Sequence, residues 1–472
     1  MTTVGDSGER PERVASQLYG AFWRWHFYAG LLVLPILMLM ALTGGLYLFK
    51  DEISHLVYRP LMVMEARPAA ASPQAWVTAA EQGVGGRVVQ LTPPAGPGHS
   101  VELVVERPDG GKRTAFVDPY GGRLLGAIPY GGVMGVIKRL HSLDLFGPLA
   151  NMLVEVVAGW AIVLVATGVV LWWPRGQGGG VVTVRGAPAR RVFWRDLHAV
   201  TGFFAAAVIV FLAATGMPWS AVWGRQVREI TTQAGLGRPS PPAVDGVAHH
   251  RSGHKMAAAP AEPPADAPAE APAEAPAEAM PWALQQMQMP AGQAMPLSVD
   301  EIVQRLEASG LGRPYVVSIP KAPGKAWSAS YLPDRVEDTR TLFIDGASGQ
   351  TIADISYRDF GPAAKAIEWG ISVHQGQQFG RVNQLLMLTG CIAIWMLGVS
   401  AVVMWWKRRP RGRLAAPPAP EDRRAYRGIA AVVVPLGLLF PLVGASLIAV
   451  LTLDLAVRAS VRILRGAHPK AA

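Results

Sequence analysis

The chain has 472 residues, of which 50% are hydrophobic, with a formal net charge of +10 and a single cysteine. One cysteine excludes an internal disulfide framework and a cysteine metal cluster. Positive charge can indicate nucleic acid, but here basic residues concentrate in two short segments, 175–195 and 407–427, that each separate two apolar stretches. Short basic loops mark the cytoplasmic side of a membrane protein. We therefore expect the lipid bilayer, and no nucleic acid, as a partner.

Apolar stretches long enough to cross a bilayer recur along the chain. They cover residues 27–49, 156–173, 199–223, 382–406 and 429–453. A helix rises about 1.5 Å per residue, so about 20 residues cross the hydrocarbon core. The first stretch has no small-residue cleavage site after it, so we expect it to be retained. The last contains Pro435 and Pro441 and would place basic residues outside, so it either crosses the membrane, dips into it or lies at its surface.

The segments that follow the first and third apolar stretches resemble one another. Residues 114–126 and 341–353 each contain an apolar strand, a tight Asp/Gly turn and a second apolar strand, which indicates a β-hairpin. Ser298 and Glu301 form a capping pattern at the start of an amphipathic helix. Each segment is therefore expected to fold as a small α+β module outside the membrane.

A low-complexity tract at about 235–296 precedes the second module. Its repeated Ala-Pro-Ala-Glu sequence cannot bury a core, which predicts a disordered or extended tether. Imidazoles and thioethers at its two ends suit copper, whereas the alternative is a polar linker with incidental methionines, because no fixed spacing is present. The tract opens with His249, His250, His254 and Met256 and closes with Met280, Met287, Met289 and Met295.

These elements divide the chain into alternating membrane and aqueous segments. In order we expect a cytoplasmic tail (1–25), transmembrane helix 1 (26–49), external module 1 (50–140), transmembrane helix 2 (141–174), a basic cytoplasmic loop (175–197), transmembrane helix 3 (198–223), the external tether (224–296), external module 2 (297–373), transmembrane helix 4 (374–406), a second basic cytoplasmic loop (407–427), a hydrophobic C-terminal helix (428–456) and a basic tail (457–472). The predicted fold is an all-α membrane bundle of four core transmembrane helices and a fifth C-terminal helix, carrying the two modules.

Histidines recur at the ends of these stretches in a duplicated pattern. His26 and His198 are each followed by a glycine four residues later and by Thr-Gly at seventeen and eighteen. His141 and His374 are each followed by Phe-Gly, an asparagine and, at thirty-one and thirty-two residues, Trp-Trp. A single histidine at a membrane edge is ordinarily interfacial, but four at repeated spacings favour paired axial ligands of haem iron. The repeat pairs His26 with His198 near the cytoplasm and His141 with His374 near the outer face.

Other polar and small residues near the spans have two interpretations each. His55 has no histidine counterpart in the repeat, so it is either a ligand or substrate contact or an interfacial residue. Glu155 either compensates charge with a proton during reduction or simply reaches water. The repeated glycines let either a macrocycle or another helix approach closely. These are Gly30, Gly44, Gly202 and Gly216.

Several short motifs resemble the PepSY-associated transmembrane-helix family. They are Arg24-Trp25-His26, Leu48-Phe49-Lys50-Asp51-Glu52-Ile53, Val117-Asp118-Pro119-Tyr120-Gly121, Leu171-Trp172-Trp173-Pro174-Arg175, Asp196-Leu197-His198 and His374-Gln375-Gly376. The resemblance covers about residues 20–410, and the family includes inner-membrane ferric-siderophore reductases of Gram-negative bacteria. It implies a multi-pass protein of the bacterial inner membrane whose external modules are two small periplasmic α+β PepSY-like modules. The tether and the helix after 428 depart from the family pattern.

The histidine pairs and the resemblance together predict a di-haem reductase that binds two haem b groups. Electrons would pass from a cytoplasmic-side donor to a periplasmic ferric chelate such as a ferric siderophore, releasing ferrous iron. The sequence has no Gly-rich nucleotide-binding motif, so the donor is expected to be a separate reduced flavin, flavoprotein or quinone. The alternatives are a non-enzymatic PepSY membrane anchor that binds peptides or modulates a peptidase, and a copper-linked reductase.

Overall fold

The computed structural model describes residues 9–68, 70–174, 179–237, 239, 280–284, 297–321, 326–410, 417, 426–450, 452 and 456. Internal contacts divide the chain into two units. The first, called the helical unit below, comprises Met1–Lys50, Met134–Ile230 and Gly370–Ala472. The second, called the sheet unit, comprises Asp51–Val133 and Thr231–Trp369.

The helices and strands of the described residues are as follows, in chain order. The helices are α1 Glu9–Tyr47, α2 Lys50–Met62, α3 Pro73–Val84, α4 Gly132–His141, α5 Pro148–Trp172, α6 Arg191–Gly216, α7 Trp223–Gln233, α8 Val299–Ala308, α9 Pro362–His374, α10 Gly380–Arg408, α11 Tyr426–Leu439 and α12 Pro441–Val450. The strands are β1 Arg87–Thr92, β2 Val101–Glu106, β3 Lys112–Val117, β4 Leu124–Pro129, β5 Tyr315–Ser318, β6 Trp327–Tyr331, β7 Arg340–Ile344 and β8 Thr351–Ser356.

Four helices in the described part of the chain are long and apolar enough to cross a membrane, namely Gln17–Tyr47 within α1, α5, Arg191–Trp219 beginning with α6, and α10. α1 packs against α5 and α10, and α6 packs against the same two helices, so the four form a closed ring. Large apolar side chains, including Phe204 and Val382, are exposed on the ring. Helices that are apolar all round are typical of segments that face lipid. These helices correspond to the four predicted core spans.

Two of these spans begin later than the sequence predicted. His141 is the last residue of α4 and His374 the last residue of α9, whereas α5 starts at Pro148 and α10 at Gly380. Gly147 has a φ of 93° and Gly380 a φ of 59°, values in the left-handed region that glycine adopts at little cost. Proline is favoured at the first helical position because its missing N–H is not needed there. Each histidine therefore ends a short helix that precedes the span.

The predicted tether at 224–296 is shorter in the structure. α7 occupies its first residues, and Trp282, near its other end, is buried in the sheet unit. Residues Trp223–Gln233 can form a helix because, after Gly224, they contain neither proline nor glycine. The Ala-Pro repeats that follow contain many prolines. The candidate copper-binding residues His249, His250, His254, Met287 and Met289 lie outside the described residues.

The predicted single C-terminal helix at 428–456 is broken into two. α11 ends at Leu439, Phe440 forms a bend and Pro441 begins α12. The residue before a proline avoids the helical conformation, which explains a break at Phe440. α11 starts beside the amino-terminal part of α1, and at its far end the Phe440 ring lies 5.6 Å from the Trp223 ring, which follows α6. α11 therefore packs along α1 and α5, and its far end lies near Trp223.

α12 then folds back along α5. Gly437 and Gly444 approach so closely that a Cβ on either residue would meet the backbone of the other. Leu442 lies beside the first turns of α5, and further along both helices the Trp160 indole donates a hydrogen bond of 2.9 Å to Ser446 Oγ. The described part of this segment enters the helical unit and turns back. The described residues 426–450 therefore form a helical hairpin of α11 and α12.

The sheet unit contains one antiparallel sheet instead of two separate modules. Its eight strands follow the order β4-β3-β2-β1-β5-β6-β7-β8. β1 and β5 join the two halves, with Gln90 opposite Ser318 and Leu91 opposite Val317. Either strand alone would expose a row of unpaired backbone groups, and the pairing satisfies both. The two predicted hairpins are confirmed as β3–β4 and β7–β8.

Each half of the sheet unit repeats the same element order, a helix followed by four strands. α3 precedes β1–β4, and α8 precedes β5–β8. Ser72 caps α3, and Ser298 with Glu301 forms the predicted capping box on α8. α3 packs against α8, and their buried side chains join those of both half-sheets, including Leu91 and Tyr315. The two predicted modules therefore share one hydrophobic core.

Candidate functional site

Four histidines form two pairs in the helical unit. The ring centroids of His26 and His198 are 6.2 Å apart, with the ring planes at 87°. Those of His141 and His374 are 6.5 Å apart, with the planes at 82°. We call these the first pair and the second pair, and they are the pairings that the sequence repeat predicts. The first pair lies at the bundle end where α5 finishes and α6 begins, and the second lies at the opposite end.

Each imidazole is held by a hydroxyl group on a neighbouring helix. The distances from Nδ1 to the hydroxyl oxygen are 3.0 Å for His26 and Thr167, 3.1 Å for His141 and Thr43, 3.0 Å for His198 and Ser400, and 2.9 Å for His374 and Thr215. His141 Nδ1 also lies 3.0 Å from the carbonyl oxygen of Met40, and His198 Nδ1 lies 3.1 Å from that of Leu397. One edge of every ring is therefore occupied by the protein.

The hydroxyl protons decide which ring nitrogen carries the hydrogen. Each hydroxyl has one proton, which it donates to a carbonyl of its own helix. The acceptors are Leu39 at 2.7 Å from Thr43, Val163 at 2.7 Å from Thr167, Phe211 at 2.6 Å from Thr215 and Leu397 at 3.0 Å from Ser400. The hydroxyl oxygen must then accept its second hydrogen bond from Nδ1–H. A neutral imidazole protonated at Nδ1 keeps its lone pair on Nε2, so all four rings can bind a metal through Nε2.

Sequence reasoning identified the histidines but not their hydroxyl partners. Thr43 and Thr215 each follow a histidine by seventeen residues and belong to the Thr-Gly repeat. The repeat was interpreted only through its glycines. Thr167 and Ser400 follow His141 and His374 by twenty-six residues each. The equal spacing of twenty-six residues marks Thr167 and Ser400 as equivalent positions of the repeat. The equivalence is hard to recognise because one position is threonine and the other is serine. All four hydroxyls therefore occupy repeat-related positions.

The glycines of the repeat divide into two groups. A Cβ built at Gly44 would lie 3.1 Å from Cε1 of the His141 ring, and one at Gly216 would lie 3.6 Å from Cε1 of His374. These glycines make room for the imidazole rings. A Cβ at Gly30 or Gly202 would meet only a leucine side chain, at 3.8 and 3.5 Å, which is ordinary helix packing. Gly168, outside the predicted set, lies against His26 in the same way as Gly44 lies against His141.

The spacing of each pair suits two ligands of one metal ion. A metal–imidazole bond is about 2 Å long and the ring centre lies about 1 Å further on, so two rings on opposite sides of one metal are about 6 Å apart. In the described residues no group of three or more His, Cys, Asp or Glu side chains is placed to hold a metal. Two imidazoles at this spacing could serve as the axial ligands of a metal whose four other ligands come from a macrocycle, as in a six-coordinate haem.

An apolar layer separates the two pairs. Its buried members come from three of the spans and are Ala41, Ala205, Ile209, Cys391, Ala393 and Ile394. His26 and Thr43, one at each pair, are seventeen residues apart on α1, or about 25 Å along the helix axis. The free thiol of Cys391 is buried in this layer, as expected for a packing residue. The pairs are thus two sites at opposite ends of one bundle.

A buried carboxylate organises the chain next to the first pair. Asp196, two residues before His198, has no solvent exposure and receives charged hydrogen bonds from Arg185 at 2.7 Å and Arg195 at 2.6 Å. The Arg185 backbone N–H also donates to it, at 3.2 Å. These bonds attach the loop before α6 to the first turns of that helix. Asp196 entered the sequence analysis only as part of a family motif.

The other predicted site residues occupy different surroundings. His55 lies on α2 in the sheet unit and is exposed. Glu155 lies on α5 with no solvent exposure, so it does not reach water. It accepts hydrogen bonds from Ser220 Oγ at 3.1 Å, the Trp223 N–H at 3.0 Å and the Leu442 N–H at 3.4 Å. The last two donors begin α7 and α12, and a helix amino terminus favours a nearby negative charge.

Replacing Glu155 with alanine is expected to destabilise the helical unit. Three donors, one buried and two partly buried, would lose their acceptor, and a buried loss of this kind costs about 1–3 kcal/mol. A lower midpoint of thermal unfolding, followed by fluorescence in detergent, measures the effect. Glu229, exposed on α7, provides the matched control, and Glu229→Ala should leave the midpoint unchanged. A Glu155→Ala protein as stable as the unmodified one would contradict this anchoring role and favour the proton-compensating role.

The ring of four membrane-competent helices with a histidine pair at each end defines a multi-pass membrane protein built from two related halves. The chain belongs to the family described as the PepSY-associated TM region, which matches residues 23–408. The family predicted from the short motifs is therefore confirmed. The match includes all four histidines and the strands of both half-sheets, whereas α11 and α12 lie beyond it. Among curated proteins, none matches the chain.

Proposed function

We propose that this protein is a di-haem membrane reductase that binds two haem b groups and passes electrons from a cytoplasmic-side donor to a periplasmic ferric chelate such as a ferric siderophore. The observation that carries the proposal is the presence of two histidine pairs, at 6.2 and 6.5 Å, at opposite ends of one bundle. The hydroxyl contacts leave the Nε2 lone pair of every ring available for iron.

The protein side of this function is ligation and exclusion of water. His26 and His198 would hold one haem, and His141 and His374 would hold the other. Because each pair would supply two imidazole ligands to the iron, each haem would supply one-electron transfer rather than oxygen chemistry. The apolar layer around Cys391 excludes water between the two sites. One site at each end of a membrane-spanning bundle is the arrangement that transfer across a bilayer requires.

The substrate and donor follow from chemistry and from the family resemblance. Iron(II) binds oxygen-rich chelators far less well than iron(III), so reduction releases the metal. Short basic loops at 175–197 and 407–427 support a topology in which the first pair lies on the cytoplasmic side and the second pair on the periplasmic side of an inner membrane. These loops are too short for a nucleotide-binding domain, so the donor is a reduced flavin, a flavoprotein or a quinone.

The competing function is a membrane anchor whose histidines are merely interfacial. Interfacial side chains direct their polar atoms to water and headgroups. Here all four Nδ1 atoms instead point at hydroxyls on neighbouring helices, at 2.9–3.1 Å. An anchor has no need for four identical contacts of this kind, and this difference favours the reductase.

The visible spectrum of the purified protein tests the haem assignment directly. Protein from haem-replete cells should show low-spin b-type bands with about two haems per chain, because each pair supplies both axial ligands. No c-type attachment is expected, because the chain has no Cys-x-x-Cys-His motif. The pyridine haemochrome assay measures the stoichiometry. A colourless preparation that is folded by circular dichroism would overturn the proposed function.

A further inference from the structure

We propose that Thr43, Thr167, Thr215 and Ser400 are positioning residues, each of which fixes the axial histidine of a neighbouring helix. This inference rests on the proposed function, since it concerns how the haem ligands are oriented. It adds that the hydroxyls act in a crossed pattern. α1 and α6 each carry a ligand for one haem and the positioning hydroxyl for the other. α5 and α10 carry the remaining two hydroxyls, and each follows the short helix that ends in a second-pair histidine.

The crossed pattern is visible in the first half of the helical unit. α1 carries His26, of the first pair, and Thr43, which contacts His141 of the second pair at 3.1 Å. α5 follows the short helix that ends in His141, and it carries Thr167, which contacts His26 at 3.0 Å. The two segments therefore exchange hydrogen bonds at both ends of the bundle, so that α1 cannot slide or rotate against α5 without breaking one of them.

The second half repeats the exchange. α6 carries His198 of the first pair and Thr215, which contacts His374 of the second pair at 2.9 Å. α10 carries Ser400, which contacts His198 at 3.0 Å. Hydroxyl contacts thus operate within each half, whereas each histidine pair takes one ring from each half. Each ring of a pair is therefore oriented by a hydroxyl of its own half of the helical unit.

The chemical effect of each hydroxyl follows from its proton. Because its own hydrogen goes to a helix carbonyl, the oxygen accepts Nδ1–H and increases the electron density of the ring. Removing such a partner typically lowers metal affinity about 10–100-fold. A less basic imidazole also stabilises ferric iron less, so the reduction potential of that haem should rise. A purely structural hydroxyl would affect neither the potential nor one haem alone.

Valine preserves the shape of threonine and removes the hydroxyl, so Thr167→Val and Thr43→Val are the informative variants. Thr167→Val should act on the haem that His26→Ala removes. The reduction potential of that haem should rise, and the protein should retain it about 10–100-fold less tightly. Thr43→Val should have the same effects on the haem that His141→Ala removes, although Thr43 shares α1 with His26. Potentiometric titration followed by absorbance, and haem transfer to apomyoglobin, measure the two effects. Thr167→Ser and Thr43→Ser should restore both values.

Thr389 on α10 is a matched control. Its hydroxyl donates to the Leu385 carbonyl at 2.8 Å in the same manner, but the side chain is exposed. Thr389→Val should leave both potentials unchanged. If Thr43→Val shifts the first-pair haem instead, or if neither valine variant shifts any potential, the crossed positioning is overturned. A variant that fails to fold is replaced by its serine counterpart, whose potential must then match that of the unmodified protein.

A haem-free measurement separates this inference from the proposed function. Imidazole nitrogen-15 chemical shifts of haem-free protein labelled at histidine report the tautomer of each ring. The rings of His26, His141, His198 and His374 should all carry the proton on Nδ1, because the hydroxyls accept it whether or not haem is present. Rings protonated on Nε2 would overturn the positioning role. Nδ1-protonated rings in a protein that binds no haem would instead refute only the reductase assignment.

Discussion

Alanine at His26 is expected to remove the same haem as alanine at His198, and alanine at His141 the same haem as alanine at His374. The rings within each pair are 6.2 and 6.5 Å apart, close enough to share one iron. A haem that loses one of its two axial ligands is bound weakly or becomes high-spin. Each variant should therefore fall from about two haems per chain to about one, with the remaining haem low-spin. Haem stoichiometry and electron paramagnetic resonance spectra measure this loss.

The control for these variants is His55→Ala. His55 is exposed on α2 and has no counterpart in the histidine repeat, so its replacement should leave both haems in place. The pairing is wrong if His26→Ala and His141→Ala remove one common haem. It is also wrong if the double variant His26→Ala/His198→Ala loses more haem than either single variant, since partners in one site cannot lose it twice.

Reduction of a membrane-impermeant ferric chelate is expected only at the face that carries the second pair. In oriented vesicles with reductant on the cytoplasmic side, ferric chelate added to the periplasmic side should reoxidise the pre-reduced haems. His374→Ala should block most of this reoxidation, because the site nearest the chelate is lost, while the first-pair haem should stay reducible. Stopped-flow absorbance in the visible region follows both steps. The basic loops attract an anionic donor, so reduction from the cytoplasmic side should slow as the salt concentration rises.

Vesicles with the opposite orientation are the control for this result. They should show no reoxidation by the same external chelate, since the chelate then meets the first pair. Reoxidation that is equal from both faces would contradict the topology taken from the basic loops. Haems that stay reduced with every ferric chelate, yet are reoxidised by cupric ion or a quinone, would keep the haem assignment and refute the iron-reductase assignment.

The duplicated histidine spacing predicted both pairings because the repeat encodes a symmetry of the fold. His26 and His198 occupy equivalent positions in two related halves, as do His141 and His374. Equivalent residues of two halves that pack face to face meet near their common axis, as the ring distances of 6.2 and 6.5 Å show. The spans and hairpins were predictable for a simpler reason, because apolar length and Asp/Gly turns are local properties of the chain.

The beginning of each span illustrates where local pattern failed. The apolar stretches at 156–173 and 382–406 begin after His141 and His374, and the histidine repeat was the reason for assigning both residues to the spans. In the structure, turns containing Gly147 and Gly380 in left-handed conformations separate each histidine from its span. The repeat gives distances along the chain but not the backbone conformation between the repeated residues, so it does not reveal these turns.

The sequence by itself therefore determined the family, the four membrane-competent helices, the hairpins and the partners within each histidine pair. Tertiary structure alone decided that two modules become one sheet, that the C-terminal segment folds back at Phe440 and that Glu155 anchors two helix ends. It also decided which hydroxyl holds which ring. These contacts join residues far apart in the chain, such as His198 and Ser400, and buried polar groups must find a partner wherever the fold brings one. No local spacing specifies that partner, because it depends on which helices pack side by side.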